Sequence, residues 1–152
     1  MTEKKNTLLR QARSWVGFAI ILGVVFFGNR AFQTHLGEQA LEEMGLPTFS
    51  LQEAIKKAQQ ENKMVIADMS AIWCGTCRKL DKDVLSSPEV QAVINENYIF
   101  ARIEYDTPEG DAFMARYQVA GFPTLLVLDN NGEVKKHLNL TFDPKQFSAQ
   151  LL

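Results

Sequence analysis

The spacing of hydrophobic positions separates helical segments from extended ones along most of the chain. Apolar residues recur at helical spacing over 51–61, behind a capping-box signature formed by Ser50 and Glu53. The unbroken apolar run Met64–Ala71 that follows has the length of a buried strand. The pattern therefore predicts a helix followed by a strand.

The rest of the chain continues to alternate between helical and extended segments. Helices are predicted over 75–85, from Ser87-Pro88, from Thr107-Pro108 to about Tyr117, and from Asp143-Pro144. Strands are predicted at Tyr98–Tyr105, Thr124–Leu128 and Glu133–Leu140, the last two joined by the hairpin signal Asp129–Gly132. This order predicts an α/β fold in which a central mixed β-sheet is flanked by helices on both faces.

The N-terminal segment has no polar face. The apolar run 15–28 follows a basic stretch and ends before Arg30. It is shorter than the roughly 20 residues that span a bilayer comfortably, and a signal-peptide core of about 7–15 residues fits its length better. However, Asn29-Arg30-Ala31 offers no small residue at its first position for cleavage. We therefore expect residues 1–30 to be an uncleaved signal-anchor that contacts lipid through 15–28. A cleaved signal and a buried core helix are the alternatives.

The bases that precede the apolar run predict its orientation. Positive charges favour the cytoplasmic side, so the residues after the run should lie outside the cytoplasm. Residues 31–47 are expected to form a linker with some helical content, and 48–152 a single folded domain.

The charge of the chain is uneven. Five of its 16 bases but only one of its 18 acids lie in residues 1–30, so residues 31–152 hold 11 bases and 17 acids, a net charge of about -6. Nucleic-acid binding depends on Lys and Arg contacts to phosphate, and so acidic a domain is not expected to bind nucleic acid.

Cys74 and Cys77 are the two cysteines of the chain. A disulfide framework needs more cysteines, and a structural zinc site needs four ligands. Cys74 follows a predicted strand and begins a predicted helix, where unpaired N–H groups and the helix dipole favour a thiolate. Cys77 lies one turn later and can resolve a mixed disulfide formed by Cys74. The pair is therefore interpreted as a redox-active disulfide that requires no metal and no organic cofactor.

The residues around the cysteine pair strengthen this interpretation. Asp68–Asp81 (DMSAIWCGTCRKLD) and Gly121–Thr124 (GFPT) resemble the active-site motifs of the thioredoxin superfamily, and the resemblance runs from about Met64 to Val134. It implies a thioredoxin-like fold and thiol–disulfide oxidoreductase activity. It also places Asp68 at the family's buried acid, which would help to deprotonate Cys77. A carboxyl group buried near a thiol has a raised pKa and can exchange protons near neutral pH.

The same resemblance implies a substrate-binding surface. Trp73 precedes the cysteine pair, as a tryptophan does in the family. Pro123 corresponds to the family's cis-proline, which lies opposite the cysteines, and Phe122 and Thr124 flank it. In relatives this loop offers backbone hydrogen bonds to an incoming peptide.

Within the superfamily, the chain most resembles the C-terminal periplasmic domain of DsbD-type thiol:disulfide interchange proteins. The likeness rests on Asp81, an acid one turn after Cys77, and on the segment Val84–Val90. It implies that Asp81 tunes the pKa values of the site, although the alternating charges around it are typical of an exposed, solvated helix face. Arg102 falls where the family often has a lysine near the buried acid, and is assigned an electrostatic role.

The predicted function is reduction of disulfides in periplasmic proteins from the bacterial inner membrane, with the N-terminus in the cytoplasm. The Gly-Thr dipeptide between the cysteines departs from the relatives, and no multi-helix membrane domain accompanies the pair. An unidentified membrane or periplasmic electron donor is therefore expected. The alternatives are an oxidase or isomerase that uses the same site, and a non-enzymatic adaptor or carrier of Cu(I) or Zn(II).

Overall fold

The computed structural model describes the backbone from Thr2 to Leu152 and the side chains from Trp15 onwards. The helices are α1 (Thr2–Met44), α2 (Leu51–Glu61), α3 (Gly75–Leu80), α4 (Pro88–Asn97), α5 (Pro108–Tyr117) and α6 (Pro144–Leu151). The strands are β1 (Met64–Ser70), β2 (Tyr98–Glu104), β3 (Thr124–Leu128) and β4 (Val134–Leu138). A π-helical turn, Asp81–Leu85, follows α3 directly.

The strands form one mixed sheet in the order β2-β1-β3-β4. β1 runs parallel to β2 and antiparallel to β3, and β3 pairs antiparallel with β4. The mixed sheet predicted from the sequence is therefore confirmed. Its register places Asp68 on the central strand β1 opposite Arg102 on β2 and Leu125 on β3.

Each face of the sheet carries its own core, because successive side chains of a strand point to opposite faces. One core joins the sheet to the π-helical turn, α4 and α6, and includes Ile66, Phe100, Leu125, Leu80, Leu85, Ile94 and Phe147. The other joins the sheet to α2 and α5, and includes Val65, Met69, Ile103, Leu126, Ala54, Ala58 and Phe113. Burial of each large apolar side chain contributes roughly 1.5–3 kcal/mol.

The helix starts follow the local sequence signals. The Glu53 N–H donates to Ser50 Oγ at 3.4 Å, and the Ser50 N–H donates to the Glu53 carboxylate at 3.0 Å, so the predicted capping box is present. Proline occupies the first turn of α4, α5 and α6. These local interactions fix where the helices begin.

Residues 31–44 differ from the expected linker, because they continue α1 to Met44. Gly45 ends the helix with a positive φ of 74°, a conformation that glycine adopts without steric cost. Met44 and Leu46 are 1% and 6% exposed and belong to the core. The end of the expected linker is therefore part of the packed structure.

The apolar run 15–28 lies in the same helix. Within the described residues, Trp15–Met44 is the one helix long and apolar enough to cross a membrane, with a mean hydropathy of 1.7 over its most apolar window, none of which is buried. The exposed apolar side chains include Trp15, Phe18, Ile21, Val24 and Phe27. The run therefore does not pack in a core of the described residues, so the alternative of a buried core helix is wrong.

Candidate active site

The cysteine pair lies where β1 leads into α3. Cys74 is the N-cap residue of α3, and it forms a disulfide with Cys77, at a Cα–Cα distance of 5.3 Å. Cys74 is 8% exposed and Cys77 is 1% exposed. The described form is thus the oxidised one, with Cys74 as the more accessible sulfur.

The backbone around Cys74 places its sulfur at the start of the helix. The Cys77 N–H donates to Cys74 Sγ at 3.1 Å, and the Arg78 N–H donates to the Cys74 carbonyl at 3.0 Å. Amide groups pointing towards a sulfur stabilise its thiolate form once the disulfide is reduced. The geometry therefore suits Cys74 as the attacking sulfur.

Asp68 is fully buried on β1, on the sheet face that α3 and the π-helical turn cover. Arg102 Nη1 donates to Asp68 Oδ2 at 2.9 Å, whereas Asp68 Oδ1 has no hydrogen-bond partner among the described residues. Burial raises the pKa of Asp68 to about 7, because loss of solvent outweighs the opposing charge of Arg102. Asp68 can therefore gain or lose a proton near neutral pH.

Asp81 is buried, with 1% of its surface exposed, so the expected solvated position is wrong. Arg102 donates to both Asp81 oxygens, at 2.8 and 3.3 Å. Burial raises the pKa of Asp81, and the charge of Arg102 opposes the shift. The physical reason for the error is that Asp81 lies four residues after the buried Cys77 and so shares its inward helix face, whereas Lys79, Lys82 and Asp83, whose charges suggested exposure, lie on the solvent side.

Glu104, whose side chain is 31% exposed, completes the charge cluster and was not identified from the sequence. Its Oε1 accepts from Arg102 Nε at 3.2 Å, and its Oε2 accepts from the Ile72 N–H at 2.9 Å. Glu104 thus links Arg102 to the loop that carries the cysteines. A sequence signal existed, since residues two apart on a strand share a face, but it does not indicate which partner Glu104 contacts.

Aromatic side chains surround the cysteines. Trp73 and Phe122 pack against the cysteine pair, and their ring centroids lie 5.4 Å apart at right angles. Tyr105 lies 4.8 Å from Phe122, between centroids. The Phe122–Pro123 peptide bond is cis. The next residue, Thr124, begins β3 and donates from Oγ1 to the Gly121 carbonyl at 2.8 Å.

Two further residues hold Trp73 and were missed by the sequence reasoning. Trp73 Nε1 donates to Asp106 Oδ2 at 2.8 Å, and Arg30 of α1 forms an ion pair with the same carboxylate. The Arg30 guanidinium also lies 5.2 Å from the centre of a Trp73 ring, a favourable cation–π distance. The hydrogen bond from Trp73 and the Arg30 contact lower the pKa of Asp106.

No three His, Cys, Asp or Glu side chains from Trp15 to Leu152 are placed to hold a metal ion together. Within these residues, the two cysteine sulfurs are the candidate ligands for a Cu(I) or Zn(II) ion. The geometry instead favours exchange between a dithiol and a disulfide, the chemistry of the thiol–disulfide oxidoreductases.

Comparison with known proteins then gives the family. The sequence profile of a thioredoxin-like family matches residues 47–130, and the chain belongs to that family. Over 95% of its length it is 27% identical to the thiol:disulfide interchange protein DsbD of Salmonella typhi, but it spans only 28% of the length of that relative.

Two solved structures show the same fold. A thioredoxin from Thermus thermophilus is 28% identical, with a TM-score of 0.61 over 70% of this chain and 84% of its own. The C-terminal domain of Neisseria meningitidis DsbD in the oxidised form is 26% identical, with a TM-score of 0.58 over 68% of this chain and 96% of its own. The protein is therefore a DsbD-related member of the thioredoxin-like family, with a cysteine pair placed for thiol–disulfide exchange.

Proposed function

We propose that the protein is a membrane-tethered reductase of disulfides in periplasmic proteins. The observation that carries this proposal is the Cys74–Cys77 pair at the N-terminus of α3, in which the more exposed sulfur belongs to the N-cap residue Cys74. The likeness to DsbD supports reduction and a periplasmic site. The apolar, unburied part of α1 supports tethering.

The exchange proceeds in two steps from the reduced protein. The Cys74 thiolate attacks one sulfur of the partner disulfide, which forms a mixed disulfide and releases the partner's other sulfur as a thiolate. Cys77 then loses its proton and attacks Cys74 Sγ, which re-forms the Cys74–Cys77 disulfide and releases the second partner thiolate. Two electrons pass to the partner, and the exchange itself requires no metal or organic cofactor.

Asp68 is proposed to accept the proton of Cys77 in the second step. Its pKa of about 7 suits transfer in both directions at neutral pH. Arg102 and Asp81 are proposed to tune that pKa, since the Arg102 charge lowers it and the Asp81 charge raises it. Asp68 and Cys77 are therefore assigned catalytic roles, and Asp81 and Arg102 supporting ones.

The partner is proposed to bind as an extended peptide beside Trp73, Phe122, Pro123 and Thr124. Extended peptides are commonly recognised through backbone hydrogen bonds combined with side-chain pockets. The partly exposed Trp73 and Phe122 rings beside the cysteines would supply the apolar contact.

Regeneration of the dithiol requires a second dithiol protein as electron donor, in the membrane or the periplasm. This donor would reduce the Cys74–Cys77 disulfide by the same two-step exchange run in the opposite direction. Its identity is open, since the chain matches only part of its DsbD relatives.

Insulin-disulfide reduction tests the proposed activity. Wild type should reduce insulin with a chemical dithiol as electron source, and Cys74→Ser should not, because the attacking sulfur is gone. Cys77→Ala should instead accumulate mixed disulfides through Cys74 with its partners in intact cells. Equal insulin reduction by wild type and Cys74→Ser would contradict the proposal.

The reduction potential of the pair tests the direction. A value near that of thioredoxin, about -270 mV, agrees with a reductase, whereas a value near about -120 mV would make the protein an oxidase.

A further inference from the structure

One face of α1 packs directly against the active-site edge of the domain. A Cβ atom at Gly37 would lie 1.8 Å from the carbonyl oxygen of Ile72, two residues before Cys74. Only glycine permits so close an approach between the helix and that loop. The helix that contains the apolar run is therefore fixed against the segment that carries the disulfide.

Two side-chain contacts continue the same face towards the apolar run. Arg78 Nη1 of α3 donates to Gln33 Oε1 at 2.9 Å. One turn earlier, Arg30 pairs with Asp106 and covers Trp73. Arg30, Gln33 and Gly37 are spaced three and four apart, so they lie on one side of the helix. We call these three residues the docking face.

The docking face begins where the apolar run ends. The 14 residues of 15–28 rise about 21 Å at 1.5 Å per residue, less than the roughly 30 Å hydrocarbon core. A span this short draws the residues that flank it to the bilayer interface. In the tethered protein proposed above, Arg30 would therefore lie at the bilayer surface, and the continuous helix α1 leaves no flexible spacer between it and the folded domain.

Because Arg30 contacts Trp73, the active site lies at the same height along α1 as Arg30. A cleft of about 320 Å³ between α1 and the domain is lined by Phe26, Asn29, Arg30, Gln33 and Trp73. Trp73 thus lies beside the last turn of the apolar run, and tryptophan is enriched at membrane–water interfaces. In the tethered protein its neighbour Cys74 would then lie close to the lipid headgroups.

We propose that the docking face holds the Cys74–Cys77 pair at the bilayer surface, so that its substrate is a polypeptide whose disulfide is itself presented at that surface. The inference rests on the proposed function, and specifies its substrate class. The fixed height selects the partner, because a sulfur far above the bilayer cannot reach Cys74 without release of the docking face. The exchange balances as described above, with two electrons passing to the substrate disulfide.

The first test measures the height of Trp73. In a Trp15→Phe protein Trp73 is the remaining tryptophan. In vesicles, lipid carrying a quencher on its headgroup should quench most of the Trp73 fluorescence. Gly37→Ala in this background should lose at least half of that quenching, since the added methyl group displaces α1 from Ile72. The matched control is Gly28→Ala, which adds the same methyl group where nothing lies within 4 Å.

The second test measures substrate choice with the wild-type protein in vesicles. A disulfide peptide is anchored to lipid through about 4 or about 36 flexible residues, which give it a reach of roughly 11 or 33 Å. The short-spacer peptide should react about tenfold faster, because the effective concentration at the surface falls steeply with spacer length. Gly37→Ala should reduce this preference and Gly28→Ala should keep it.

The outcomes separate this inference from the proposed function. Absent headgroup quenching in the Trp15→Phe protein, or an equal or faster reaction of the long-spacer peptide in wild type, overturns the surface-held substrate. Both results can occur while soluble insulin is still reduced, in which case the reductase proposal stands. The two peptide rates measured with wild type do not depend on folding of the Gly37→Ala protein. The quenching of Trp73 measured in the Trp15→Phe protein does not depend on it either.

Discussion

Arg102 is the one base shared by three carboxylates beneath the active site. It contacts Asp68, Asp81 and Glu104 while its own side chain is 5% exposed. Asp68 and Asp81 are buried as well, so three ionised acids beside a single guanidinium would leave uncompensated negative charge that solvent reaches only at Glu104, which is costly. The cluster therefore favours retention of a proton, and Asp68, whose pKa is about 7, is the member placed to hold it.

Asp68→Asn is expected to change the pH dependence of substrate reduction. In wild type the rate should rise as the pH passes through about 7, because ionised Asp68 accepts the Cys77 proton. The variant should lose the part of the pH profile that Asp68 supplies and react at least about 100-fold slower at neutral pH, since it lacks the base. Single-turnover kinetics over a pH series measure both effects. An unchanged profile would remove Asp68 from the proton transfer.

Asp68 should also make the free energy of unfolding depend on pH. The pKa of Asp68 is about 7 in the folded protein and about 3.9 in an unfolded chain. The folded state then binds more protons than the unfolded chain. The contribution of Asp68 to stability is therefore fully present below about pH 4 and is lost as the pH rises to about 7. The loss is on the order of 4 kcal/mol. When the free energy of unfolding is measured with denaturant over this pH range, it should decline less steeply for Asp68→Asn than for wild type. Parallel curves of free energy against pH for the two proteins would contradict the raised pKa of Asp68.

At the scale of elements, β2 and α5 meet at Gly110. A Cβ atom there would lie 2.3 Å from the Glu104 carbonyl oxygen and 2.8 Å from that of Tyr105. Both neighbours are backbone, so they cannot move aside as a flexible side chain does. The packing of α5 thus restrains the end of β2 that carries Glu104.

Gly110→Ala is therefore expected to lower the free energy of unfolding by about 1–3 kcal/mol through overpacking, despite the better helix propensity of alanine. Gly75→Ala is the matched control, because its methyl group also enters the first turn of a helix but meets Arg78 at an ordinary 3.7 Å. Chemical denaturation of both variants decides the matter. Equal stabilities would show that the α5 contact can relax.

The elements themselves were predictable where their signals are local. The capping box at Ser50 and prolines in the first turns of three helices fixed the helix starts, and apolar runs fixed the strands. The π-helical turn was not predictable, because its i to i+5 hydrogen bond depends on packing and not on a residue signature. The exposure of Asp81 was misjudged for a different reason, because the charges of its neighbours were given more weight than its helical spacing from the buried Cys77.

The site was predictable to the same extent. Cys74, Asp68 and Pro123 carry sequence motifs, and the structure places Cys74 at a helix start, Asp68 in the sheet and Pro123 after a cis bond. Glu104 and Asp106 act through contacts to the loop Ile72–Trp73 from more than thirty positions away. Such contacts follow from the fold and not from sequence spacing.

At the scale of the whole molecule, the C-terminal end of α1 is part of the core. Met44→Ala should cost about 2–5 kcal/mol, because Met44 is almost fully buried and its removal leaves a cavity. Met64→Ala is the control, since Met64 is 37% exposed and should cost about 1 kcal/mol at most. Unfolding of the full chain in detergent measures both. Equal losses would mean that α1 does not belong to the folded unit.

The proposed activity depends on the reactivity of one sulfur. Cys74 is more exposed than Cys77 and accepts an N–H bond at the start of α3. After reduction these features should make it the thiolate of the pair. Asp68 is proposed to act on the second sulfur, Cys77, and the docking face to position the pair.

The most direct measurement is alkylation of the reduced protein with limiting iodoacetamide over a pH series, with peptide mapping by mass spectrometry. Cys74 should be modified first, and its rate should reach a plateau at a pH below the ordinary cysteine pKa of about 8.5. A rate that keeps rising through that pH as for a free cysteine, or earlier modification of Cys77, would contradict the account.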